Sequence, residues 1–148
     1  MSHTVTMSGI QAPGLGLERA RLAAEMGKWE TAVVLLRDRA GDGNADAEVL
    51  GLYGWCLAHA GGDLDTARDA CRRAVDMQPY VAHQHARLGD VYRAAGLGRH
   101  AADCFHAALE LDPTQTLARD GLVAVAIAPG WRSWLQRAAR PRRESLPA

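Results

Sequence analysis

Between Ala82 and Pro113 the sequence alternates apolar and polar positions in two successive helical series. Leu88, Val91, Tyr92 and Ala95 recur at i, i+3, i+4 and i+7, one stripe of a helix, so the spacing predicts a helix over Ala82–Ala95. Gly96 and Gly98 interrupt it, and glycine accepts the left-handed backbone that closes a helix. A second series runs from Arg99 to Leu111 and stops at Asp112-Pro113, because the residue before proline is driven out of helical backbone. The same order occurs upstream. GGD is the turn and Met77-Gln78-Pro79 the stop in one copy; MGKWETAVVLL carries the turn at Gly27 in another. AGDGNAD ends that first copy without a proline, the least orderly junction.

These copies are in phase. Pro79 and Pro113, Ala67 and Ala101, Cys71 and Phe105, and Ala74 and Ala108 each lie 34 apart. Gly54 and Gly89, and Ala32 and Ala67, lie 35 apart. The units are 13–46, 47–81 and 82–115, each a helix-turn-helix, and the fold class is all-α. Helices that pack closely need residues without bulk where their axes cross. Gly89, Ala101 and Ala108 are those points in the third unit, with Leu88, Tyr92 and Phe105 filling the space beside them. Gly54, Ala67 and Ala74 repeat them, with Tyr53, Leu57 and Cys71 as fillers. The first unit keeps Ala20, Ala32 and Leu36 but has Arg39 at the third small position, which an end unit facing solvent accepts. Residues 116–127, TLARDGLVAVAI, follow in phase as a capping helix.

The set Gly89, Tyr92, Ala101, Phe105, Ala108 and Pro113 resembles the tetratricopeptide repeat (TPR) family, with His85 where the family has its first large residue. The resemblance covers residues 13–127 and implies a TPR-like α-solenoid of three helix-turn-helix repeats with a C-terminal capping helix. It also implies that the first helix of each unit lines a concave binding groove, so that the chain is a non-catalytic adaptor for a peptide or helix of another protein. The partner-binding residues it selects are Arg21, Trp55, His59, His83, Arg87, Asp90 and Arg93. Trp55, with Arg and His near it, has the composition of an interface hot spot, and Arg21 and Arg87 are expected to receive acidic groups of a peptide. Some relatives clamp a chaperone C-terminal carboxylate. Here Leu17 and Leu52 stand where that clamp needs Lys and Asn, which disfavours such a partner.

Composition narrows the picture. Seventeen basic residues balance seventeen acidic ones in 148 residues, which argues against a nucleic-acid or membrane partner. Cys56, Cys71 and Cys104 form no CxxC and are odd in number, which suits reduced thiols in a cytoplasmic protein. The N-terminal segment 1–12 has no signal-peptide pattern and is expected to be disordered. No nucleotide-binding, hydrolase or metalloprotease motif occurs, so neither an enzyme nor a cofactor is expected. His100 and Cys104 are i, i+4, but no third ligand is fixed by spacing, so no metal is expected.

The end of the chain is different. Trp131, Trp134, Leu135 and Ala138 fall on one helical stripe among Arg132, Arg137, Arg140, Arg142 and Arg143. Residues 130–140 therefore read as a basic amphipathic helix, and 141–148 as disordered. Trp131, Trp134 and Leu135 are its interaction residues. Three readings compete: the helix docks on its own solenoid, it contacts a partner or a second copy, or, short as it is, it touches a membrane surface or nucleic acid. Two alternatives thus stand beside the adaptor: a scaffold self-assembling through the tail, and a secretion-type chaperone for an export substrate.

Overall fold

The computed structural model describes residues 14–128; the segments 1–12 and 130–148 named above lie outside the described residues. Seven helices follow one another: α1 (Leu15–Glu25), α2 (Trp29–Ala40), α3 (Ala47–His59), α4 (Leu64–Met77), α5 (Ala82–Ala94), α6 (Gly98–Leu111) and α7 (Thr116–Ile127). There is no strand among the described residues. The helices form hairpins α1/α2, α3/α4 and α5/α6, and α7 packs on α5 and α6. Each odd-numbered helix also touches the next odd-numbered one, so the hairpins stack in sequence order into an all-α solenoid. No described helix is long and apolar enough to cross a membrane.

Local chemistry sets the helix limits. Gly27, Gly61 and Gly96 turn each hairpin with φ of 71°, 75° and 75°, values that a side chain would strain. Asp46 caps α3 by accepting from the Val49 amide at 2.8 Å, and Asp63 caps α4 by accepting from the Thr66 amide at 3.1 Å. Asp46 gives the AGDGNAD junction its order without a proline.

The crossing points are where the repeat places them. A Cβ on Gly54 would stand 2.5 Å from the Ala67 carbonyl oxygen and 2.7 Å from the Cys71 sulfur. A Cβ on Gly89 would stand 2.7 Å from the Phe105 ring, and one on Gly121 of α7 would collide with the same ring. Phe105 is fully buried between α5 and α7 and fixes the third hairpin to the capping helix. Ala32, Ala67, Ala74, Ala101 and Ala108 are all fully buried, so the helices approach through methyl groups instead of large side chains. Arg39 is half-buried, and Ala40 beside it is the small buried residue at the end of α2.

Two of the three thiols lie inside, and Cys104 is half-buried. Cys56 and Cys71 are fully buried, and the Cys71 thiol points at the Gly51 carbonyl oxygen at 3.6 Å. Burial pushes Cys56 and Cys71 up to about 12 and Cys104 up to about 11.

Candidate functional site

All seven partner-binding residues expected from the sequence come together around two carboxylates on α3 and α5. The first is Glu48, at the start of α3. Its Oε1 accepts from Arg87 Nη2 at 3.0 Å and lies 3.3 Å from Arg21 Nη2; its Oε2 lies 2.8 Å from His83 Nε2. The second is Asp90 of α5, only 4% exposed. Its Oδ2 accepts the Trp55 indole N–H at 2.8 Å and lies 2.6 Å from His59 Nε2, while its Oδ1 accepts from Arg93 at 2.9 and 2.7 Å.

Burial alone would push both carboxyl groups up. For Glu48, hydrogen bonds from His83 and Arg87 and the charge of Arg87 outweigh burial and hold it at about 2. For Asp90, hydrogen bonds from His59, Trp55 and Arg93 do the same, also to about 2. Both groups are therefore anions that tie one repeat to the next.

Gln84 and Trp29, which the sequence reading did not select, complete the arrangement. Gln84 is fully buried beneath Glu48; its amide nitrogen faces the Gln78 side-chain oxygen at 3.0 Å, the Ala47 carbonyl at 3.3 Å and Glu48 Oε2 at 3.4 Å. A Cβ on Gly51 would collide with its side-chain oxygen, so Gly51 makes the room Gln84 occupies. Trp29, the first residue of α2, stacks on His59 with ring centres 4.4 Å apart and meets Trp55 edge-on at 5.1 Å. Arg87 stands 5.9 Å from the Trp55 ring centre, and its Nη1 is buried with no hydrogen-bond partner among the described residues. His85 is half-buried at the family's large-residue position and faces the Pro79 carbonyl oxygen at 2.8 Å.

This geometry changes what the selected residues offer a partner. Trp55, the expected hot spot, is half-buried and its N–H is held by Asp90. Arg87 is turned to Glu48 with its side chain only 12% exposed, and Arg21 pairs with both Glu18 and Glu48. What stays open is a cleft of about 260 Å³. Leu52, Trp55 and Leu117 give it apolar walls, and Arg21, His83 and Gln115 give it a polar rim. Leu117 belongs to the capping helix, so the cleft spans α1, α3, α5 and α7. Among the described residues no group of three His, Cys, Asp or Glu side chains is placed to hold a metal ion.

No protein-family model and no curated protein matches the sequence. Solved structures do. The chain is similar to the Arabidopsis OM64 TPR domain, with 18% identity over 75% of this chain and 91% of that one and a TM-score of 0.63. It is similar to the second TPR domain of human RPAP3, in complex with an HSP70 peptide, with 22% identity over 76% and 93% and a TM-score of 0.61. A third is PcrH in complex with the chaperone binding region of PopB, with 16% identity over 80% and 96% and a TM-score of 0.59. Stacked hairpins, glycine and alanine crossing points and these likenesses agree: the chain has the fold of the tetratricopeptide repeat family.

Proposed function

We propose that the chain is a non-catalytic protein-interaction module that seats an apolar side chain of a partner's peptide or helix in its concave cleft. One observation carries this reading: the cleft keeps apolar walls open while Arg21, His83 and Arg87 at its edge are already paired with Glu48. An acidic peptide would have to displace Glu48 from Arg87, and Glu48 is held by three cationic or polarisable neighbours. An apolar side chain displaces only water from Leu52, Trp55 and Leu117, which is favourable without any exchange of ion pairs. That the RPAP3 domain was solved with a peptide, and PcrH with a segment of PopB, supports a protein partner.

The cleft walls also favour a second reading, a chaperone that shields an apolar segment of one partner; PcrH was solved with the chaperone binding region of PopB. The two differ in stoichiometry and breadth. Peptides displayed as a random library and selected on the full chain test the shared claim. Peptides with a bulky apolar residue should be enriched, and Leu117→Asp, which sets a charge in the cleft, should weaken them by about tenfold or more. Enriched peptides that ignore Leu117→Asp, or a library enriched only in acidic ends, would overturn the reading. A single narrow consensus marks the adaptor; broad apolar selection marks the chaperone.

A further inference from the structure

The first hairpin leaves open a face that the later hairpins bury. Twelve, eight and five residues before the turn glycine stand Val49, Tyr53 and Cys56 in α3, and Gln84, Leu88 and Val91 in α5. These stripes pack on the preceding hairpin: Val49 and Cys56 are buried with Ala20, Val33 and Leu36, and Leu88 and Val91 with Ala67 and Cys71. The same places in α1 are Leu15, Arg19 and Leu22, and no helix precedes them among the described residues. On α2, counted from Ala32 against Ala67, Val34 and Asp38 hold the places of Asp69 and Arg73, the α4 residues that line a groove shared with α2. Leu15, Leu22, Met26 and Val34 are each at least half exposed. A solenoid stays soluble when its outer end is polar, yet four of the ten exposed large apolar side chains among the described residues gather on this one edge.

We propose that a second copy of this chain covers the edge in a closed twofold dimer. The charges within the edge single out this occupant. Arg19 stands in the α1 stripe and Asp38 one turn beyond Val34 on α2; both are exposed, and neither has an ion-pair partner among the described residues. A twofold axis that runs along the hairpin, between its two helices, lays α1 of each copy over α2 of the other. The two helices run antiparallel from their common turn, so Arg19 comes level with Asp38 of the second copy, and Leu22 with Val34 of the second copy. Side chains lean toward the N-terminus of their own helix, which tilts the members of each pair toward one another. The edge thus supplies both halves of its own ion pairs and of its own apolar contact. A head-to-tail stack lacks this match: α3 and α5 pack on the second helix of the hairpin before them, and no second helix follows α7 among the described residues. The cleft stays open in the dimer, because α1 lines it with Arg21 and Ala24, on the other side of the helix.

Sedimentation of the full chain over a wide range of concentrations tests this. A reversible equilibrium between one chain and two is expected, with no larger species. Leu22→Glu alters an exposed position and should raise the dimer dissociation constant by about tenfold or more, while the urea midpoint of the dilute chain stays in place. Arg19→Asp should weaken the dimer, and Arg19→Asp combined with Asp38→Arg should restore it, because the exchange keeps each pair complementary. A chain that stays single at every concentration would overturn the proposal, as would assembly that grows beyond two. So would a dimer that Leu22→Glu leaves intact, or a charge exchange that rescues nothing.

Discussion

The two joints between successive repeats on the concave side are built differently. Between α1 and α3 the described side chains make one polar link, Arg21 to Glu48 at 3.3 Å, with Arg21 40% exposed. Between α3 and α5 there are four hydrogen-bonded or ionic links to the half-buried Glu48 and the buried Asp90, together with Gln84. Both joints use the same repeat with small residues at the hairpin crossings, Arg39 of the first hairpin excepted. The difference teaches that alanine and glycine set how close the hairpins come, while polar side chains set how rigidly one hairpin is oriented on the next. Removing one partner of a charge pair costs little at a wet contact and much at a dry one, because an unmatched anion without water is strongly disfavoured. The second joint is therefore expected to hold its angle when the first bends.

The sharpest way to break this contrast is Asp90→Ala. It leaves the Trp55 N–H, His59 and Arg93 without their shared acceptor, and should destabilise the fold by about 3 kcal/mol, read as a lower urea midpoint. A loss under about 1 kcal/mol would mean that the joint tolerates an empty centre.

Acid is the next lever. Glu48 and Asp90 are both held at about 2 in the folded chain, below their ordinary values of 4.5 and 3.8. A lowered folded value means that their contribution is fully present above the ordinary values and disappears as pH falls toward 2. Stability should fall between about pH 4.5 and pH 2, and Glu48→Gln should make that fall shallower. An acid profile that Glu48→Gln leaves unaltered would show that other carboxylates govern it.

The smallest effect is expected at the first joint. Arg21→Ala removes an exposed pair and should shift stability by less than about 1 kcal/mol. Should it match Asp90→Ala, the distinction between the joints fails.

Much of this was legible in the residues. The helices and their turns follow from glycines, prolines and the apolar period, and the crossing points from bulk-free positions recurring at 34 or 35. The candidate site was legible as a set of neighbours, since equivalent positions on successive first helices face one another. Glu48 and His83, and Trp55 and Asp90, are each 35 apart and in contact. What the period does not carry is which partner each side chain takes. Arg87 has Trp55 and Glu48 both in reach, and only the rotamer decides that it turns from the groove toward Glu48. Gln84 escaped notice because a polar residue beside His83 reads as solvent-facing, whereas Gly51 opens a buried slot for it. Trp29 lies on a second helix, away from the helices used to trace the groove, and reaches it only because α2 begins beside the end of α3.

The thiols shut inside the hairpins have a practical meaning. An alkylating reagent attacks the thiolate, and Cys56 and Cys71, held near 12, supply almost none of it at neutral pH. Nor can a reagent reach them while Gly54 and Gly51 stay pressed against α4. Their labelling is therefore a clock: each modified cysteine records a moment when two neighbouring helices came apart.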